Sequence, residues 1–187
     1  MENERKIRSW CIIGFLTIVI LGSMLHFVFE WTNRSVLAGI FVPVNESVWE
    51  HLKLGFWSLV AFSAIEYWSI WKYVANYFFA KALGTFILSS TILVIFYTCT
   101  SFVGKSILIV DISSYATGAF VCQFLIYRLY KSKPLHHATK IGGVVFLTLS
   151  GLLFAVFTFF PPHKSIFMDK TNNTFGITME RSGAEER

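Results

Sequence analysis

Pro43-Val44-Asn45-Glu46-Ser47-Val48-Trp49-Glu50-His51-Leu52-Lys53 stands immediately before an apolar run that continues to Trp71. Ser47 and Glu50 have the spacing of a capping box, in which the hydroxyl accepts a hydrogen bond from the first turn and the acid reaches back, so the stretch reads as a helix start. Glu46 and Glu50 are one turn apart and share a face. Beside this cluster of ionisable groups lies a run of about 20 mostly apolar residues, the length that crosses the hydrocarbon core of a bilayer. The segment is where the chain re-enters a membrane.

Working outward, four further runs of similar length follow the same pattern. Upstream lies Trp10–Phe29; downstream lie 83–102, 107–129 with Asp111 inside it, and 141–160, while the run after the quoted stretch, 52–71, contains Glu66. The totals agree. Of 187 residues, 55% are hydrophobic and 14% charged, with 20 Phe, against about 25% charged residues in a soluble domain. The alternating ten-residue strands of a β-barrel are absent. The expected fold is all-α, a polytopic membrane helix bundle of about five transmembrane helices filling residues 1–169, with a polar C-terminal tail over 170–187 whose end, Ser182–Arg187, is expected to be disordered. Arg5-Lys6-Ile7-Arg8 before the first run imitates a signal peptide, but the apolar run is too long and no small-x-small cleavage site follows.

Lysine and arginine orient the bundle. Arg5, Lys6 and Arg8, then Lys72 and Lys81, then Arg128, Lys131, Lys133 and Lys140 fall on one side, against Arg34, Lys53 and Lys105 on the other. The excess predicts N-inside and C-outside. The net charge of +5 is spread over loops, so nucleic acid is not an expected partner; membrane lipids are, and a homo-oligomer is compatible with the small size. Cys11, Cys99 and Cys122 fall in or beside spans without a CxxC pair and read as packing residues. Trp31–Val44 is apolar but short, an interfacial or re-entrant segment ended by Pro43.

This topology gathers the unusual polar residues on one face. His26 lies a turn inside the end of the first span, Glu46, Glu50 and His51 at the start of the second, Asp111 a turn inside the fourth, and His163 directly after Pro161-Pro162. Gly14, Ile18, Gly22 and His26 recur at i+4, as Asp111, Ser114, Gly118 and Cys122 recur at i+3 or i+4. Small residues mark close helix contact in membranes, so His26 and Asp111 are expected to face the bundle interior. Imidazole and carboxylate are ordinary zinc ligands, and catalytic zinc takes three protein ligands plus a water whose pKa it lowers. The expected metal ligands are His26, Glu50 or His51, and His163, with Glu46 or Asp111 handling protons. Bland readings stand beside this: Glu50 as a helix cap, His26 with Glu30 as a structural pair, Asp111 bonded to Ser113 or Ser114, His163 as an interfacial residue, and Glu66 satisfied by Ser63 or Ser69 or protonated. His136-His137, on the other face, reads as a solvated loop.

His26, Val42 through Lys53, Phe160-Pro161-Pro162-His163 and Phe175-Gly176-Ile177 together resemble a family of small bacterial integral membrane proteins of unknown function. The resemblance covers nearly the whole chain. It implies a multi-pass protein of the bacterial plasma membrane and transfers no catalytic role. Three functions stay open. One is a metal-dependent membrane hydrolase or lipid-modifying enzyme with a divalent cofactor, zinc foremost. Another is an ion- or proton-coupled binding or transport protein using Asp111, Glu50 and Glu66. The third is an accessory subunit whose polar residues only pair helices.

Overall fold

The structure, a computed structural model, describes residues 2–177; the expectation for Ser182–Arg187 lies outside the described residues. Its elements are α1 (Glu2–Trp31), a short α2 (Val36–Gly39), α3 (Val48–Ile70), α4 (Tyr77–Val103), α5 (Leu108–Tyr130) and α6 (His137–Phe159), with one-turn 3₁₀ segments at Trp71–Tyr73 and Ser165–Phe167. Among the described residues there is no β-sheet, only an isolated antiparallel bridge between Met168 and Phe175. Helices α1, α4, α5 and α6 are each long and apolar enough to cross a membrane, which marks a multi-pass membrane protein. Their outward faces carry large apolar side chains such as Ile12, Leu16, Ile20, Phe120, Leu149 and Leu152, all exposed. In water this would be costly; against lipid it is the expected surface.

Helix α3 differs from the other four. It carries Glu50, Lys53 and Glu66, all fully buried, and 12 of its 23 residues are buried against three in α6. It is packed between α1 and α4, while α5 packs along α4 and against α1, and α6 packs on α4 with its Phe154 reaching Trp49 and Phe56 of α3. Polar residues are tolerated in α3 because protein surrounds them where lipid would not satisfy them.

Close packing relies on small residues where helices cross. A Cβ on Gly22 of α1 would sit 1.9 Å from the Tyr115 hydroxyl of α5, and a Cβ on Gly143 of α6 would sit 2.8 Å from the backbone of Phe78 in α4. The buried stripe of α1, namely Ile7, Cys11, Gly14, Ile18 and Gly22, is the face expected from its i+4 spacing. Tyr115 fills the space left by Gly22 and donates to the Ile18 carbonyl at 2.9 Å.

Two buried ion pairs tie α3 into the bundle. Near its start, Lys53 Nζ lies 2.7 Å from Glu50 Oε2 and also donates to the carbonyls of Gly39, at 2.8 Å, and Val42, at 3.3 Å. Glu50 Oε2 in turn accepts from the Val44 N–H at 3.0 Å. The segment between α1 and α3 is therefore anchored from below by one lysine. Near the other end of α3, Glu66 pairs with Lys81 of α4, and the hydroxyls of Tyr77 and Tyr130 donate to the same Glu66 oxygen, each at 3.1 Å. Sequence reading placed Lys81 in a loop and offered Ser63 or Ser69 to Glu66. Helix α4 instead begins at Tyr77, six residues before the expected span, which carries Lys81 into the core.

Candidate functional site

Each helix start and turn at the α3 N-terminus aims a side chain. Ser47 caps α3, its hydroxyl accepting from the Glu50 N–H at 3.3 Å. The return arm of a capping box is not formed: the Ser47 N–H donates to Asn45 Oδ1 at 2.9 Å, and the Glu50 side chain turns inward to Lys53 and Val44. His51, one residue on, points about 100° round the helix toward α1.

There His26 of α1, Glu46 of the loop and His51 of α3 converge, each offering a ligand atom within 4.8 Å of the others. His51 Nε2 is 3.4 Å from Glu46 Oε2, His26 Nε2 is 3.8 Å from Glu46 Oε1, and the imidazole centroids are 5.3 Å apart. Zinc bonds near 2.0–2.2 Å in a tetrahedron place ligand atoms about 3.3 Å from one another, so these separations need only a small closure around an ion. His51 Nδ1 lies 2.9 Å from the Ser47 carbonyl. That bond fixes the ring and leaves Nε2 either to carry a proton toward Glu46 or to present a lone pair, the outer-shell arrangement that orients metal-binding histidines.

Glu46 is held from several directions. Its own N–H donates to Asp169 Oδ2 at 3.2 Å, and neighbouring Asn45 donates to the Gly176 carbonyl at 3.0 Å. Residues 168–177 thus fold back as a hairpin: the Ile177 N–H reaches the Thr158 carbonyl at 3.0 Å, and Gly176 takes φ +61° where a Cβ would meet that carbonyl. The hydrogen bond from His51 holds the Glu46 carboxyl below its ordinary value, over the opposing effect of partial burial. Burial works against Asp169, yet the Thr171 hydroxyl and N–H and the Glu46 N–H keep its carboxyl below the usual range. Both acids are anions at neutral pH.

The remaining expected site residues fall as follows. Asp111 of α5 lies within electrostatic range of His51; its Ser114 neighbour bonds the Asp111 backbone carbonyl, and Ser113 bonds Ile109. Glu50 is buried with Lys53 and is not among the converging ligands. His163 packs against Phe175 with the rings tilted, 4.9 Å between centroids, and is not among the converging ligands. Trp49 packs into Phe154, Phe167 and Phe157, docking the C-terminal segment on α3. Sequence reasoning missed the anchoring role of Asp169, whose signal was weak: a lone acid in a loop far along the chain. An apolar groove of about 680 Å³ between α3, α4 and α6 runs from Ile40 and Phe41 to Tyr77 and Lys81. Its Val60 wall lies half a turn round α3 from His51, so the groove opens away from the triad.

The segments 42–53, 160–163 and 175–177 therefore assemble at one end of the bundle, around the site. Residues 1–177 match the family of unknown function DUF6512, and the chain belongs to that family. The chain has no match among curated proteins or among solved structures.

Proposed function

We propose that the protein binds a divalent metal ion, zinc foremost, on His26, Glu46 and His51, and uses it to activate water against a substrate presented at the membrane surface. The observation that carries this reading is the convergence of two imidazole nitrogens and a carboxylate from three separate segments, with His51 oriented by a backbone carbonyl. Two histidines and one acid are the protein share of a hydrolytic zinc site, the remaining position belonging to water. A metal held there would supply a water acidic enough to act as a nucleophile near neutral pH. Asp111, whose charge reaches His51, would be the carboxylate that accepts a proton, and Asp169, accepting from the Glu46 N–H, would hold Glu46 in position. In the N-inside orientation favoured by lysine and arginine, the site faces outward from a bacterial plasma membrane. A hydrolase or lipid-modifying enzyme acting at that surface is the class that fits.

The test is the metal content of the full-length protein purified in detergent and dialysed against zinc. About one zinc per chain is expected in wild type and in His163→Ala, and a loss of most of it in His26→Ala and His51→Ala. Equal zinc in all four proteins, or none in wild type, overturns the site. Zinc-loaded protein is then assayed on phospholipid and peptide esters, with Asp111→Asn expected to lower the rate while retaining zinc.

A further inference from the structure

Helices α3 and α6 meet near the start of α3 and part farther along it. Phe154 of α6 packs on the rings of Trp49 and Phe56, at 4.8 and 5.1 Å between centroids. Three turns on, the aromatic neighbours of Tyr67 among the described residues are Trp68, Trp71, Tyr77 and Phe78, none of them on α6. The space between the two helices, floored by α4, is the apolar groove of about 680 Å³. Small residues keep it open: Ala64 on the α3 wall, Gly151 and Ala155 on the α6 wall. A Cβ on Gly151 would come only into ordinary contact with the Phe56 and Trp57 rings, at 3.5 and 3.6 Å. Trp68 is 80% exposed and Leu152 56%, so the groove is open sideways, toward lipid.

Its dimensions select an occupant. Phe56 to Trp68 is about 18 Å along α3 at 1.5 Å per residue. Half of a hydrocarbon core of about 30 Å is about 15 Å, the depth that one lipid chain fills. Volume over length leaves a cross-section of about 38 Å², or about 7 Å across. That is too narrow for a helix of about 10–12 Å, which excludes a span of a second copy, and wide enough for an alkyl chain. The chemistry of the wall agrees. Ser63 donates to the Leu59 carbonyl, Tyr77 donates to the Ser63 carbonyl and to Glu66, and Lys81 pairs with Glu66. With these groups engaged inside the protein, the groove offers mainly ring and aliphatic surface.

Charge gathers at one end of it. Tyr67, on the wall, stacks on Trp71, and Lys72 Nζ lies 5.5 Å from the centre of the Trp71 ring. This is the end of the bundle at which α1, α4 and α6 begin, so it also holds Arg5, Lys6, Arg8 and Lys140. Tryptophan and lysine at a membrane boundary meet lipid headgroups, and clustered cations favour anionic ones. We propose that the groove between α3, α4 and α6 is a binding site for one anionic phospholipid, with an acyl chain lying along Trp57, Val60 and Ala64 and the phosphate at the Trp68–Lys72 end. Hydrocarbon in the groove restores the dispersion contacts that a gap between helices forfeits. The groove opens away from the triad, and a lipid held there owes nothing to a metal.

Full-length protein, stripped of lipid by detergent washing and incubated with equal amounts of palmitoyl-oleoyl phosphatidylglycerol and phosphatidylcholine, tests it by native mass spectrometry. Wild type is expected to retain a single phosphatidylglycerol per chain. Ala64→Trp, which puts an indole into the groove, should retain severalfold less, and Leu149→Trp, exposed on α6 outside the groove, should match wild type. Lys72→Ala should keep a lipid but lose the preference for phosphatidylglycerol. Should Ala64→Trp fail to elute as monodisperse protein, Gly151→Leu on the opposite wall takes its place. Wild type without lipid, or equal retention by wild type and the groove-filling variant, overturns the site. Phosphatidylcholine held as well as phosphatidylglycerol by wild type, or a preference unchanged in Lys72→Ala, overturns the placement of the phosphate. A wild-type dimer that Ala64→Trp splits into monomers overturns the lipid and gives the groove to a second copy.

Discussion

Glu50 and His51 are neighbours on α3 and have opposite circumstances. Glu50 is fully buried, and one of its oxygens accepts from both Lys53 and the Val44 N–H. His51 is half-exposed, fixed at one nitrogen by the Ser47 carbonyl, and turns the other toward Glu46 and His26. A helical step of about 100° separates a side chain whose charge is consumed by structure from one whose lone pair remains on offer. A cluster of ionisable residues in sequence is therefore two clusters in space, and only one of them has chemistry left to do.

The strongest way to break that distinction is to unbalance the buried half. Lys53→Met leaves Glu50 without its cation and frees two carbonyls, and a loss of about 3–5 kcal/mol is expected from breaking a buried pair. Thermal unfolding in detergent measures it. The double variant Glu50→Gln/Lys53→Met should recover much of the loss, because no charge is then stranded. If Lys53→Met were harmless, Glu50 would not be a structural residue and would return as a candidate ligand.

Packing beneath the site gives a somewhat smaller effect. Gly22→Ala drives a methyl into the Tyr115 ring and breaks its bond to Ile18, for an expected cost of about 1–3 kcal/mol. Gly142→Ala is the control: a Cβ there meets nothing within 4 Å, and the helix gains up to about 1 kcal/mol. Opposite signs in the same unfolding assay would establish the α1–α5 crossing as the tighter contact.

At the site itself stability should hardly move while ligand binding does. His51→Ala removes one backbone hydrogen bond, about 1 kcal/mol, yet is expected to abolish zinc retention. Zinc held by wild type should be released as pH falls, since protons compete for the same imidazole nitrogens. Glu46 adds to the sign: its carboxyl is held below the ordinary value, so the stability it contributes is present above that value and is lost as acid protonates it. Zinc occupancy against pH, read by equilibrium dialysis, checks this; occupancy unchanged into the acid range would mean that no imidazole is a ligand.

Much of this architecture was legible beforehand because membrane helices announce themselves by length and apolarity, and because i+4 spacing puts Gly14, Ile18, Gly22 and His26 on one face whatever packs against them. His26, Glu46 and His51 were all within the candidate set. What the sequence concealed were orientations decided by distant partners. The inward turn of Glu50 needs carbonyls from the Gly39–Val42 turn to hold Lys53. The packing of His163 against Phe175 needs the C-terminal hairpin. Lys81 reads as a loop charge until α4 is seen to start at Tyr77, and only then does Glu66 acquire a cation. Periodicity locates a residue on its own helix; the element that meets it is set by tertiary packing.

The smallest expected effect sharpens the comparison from the far end of the molecule. Glu4 pairs with Lys131 and accepts from Tyr127 at 3.2 Å, an arrangement that resembles the Glu50 pair on paper but is exposed to solvent. Water screens such a pair and both side chains lose rotamer freedom in forming it. Glu4→Gln should leave the unfolding midpoint unchanged at moderate salt, where Lys53→Met lowers it. A drop of comparable size would show that carboxylate–lysine geometry alone, without burial, decides which acids of this bundle are structural, and the separation of Glu50 from His51 would then have to rest on hydrogen-bond saturation instead.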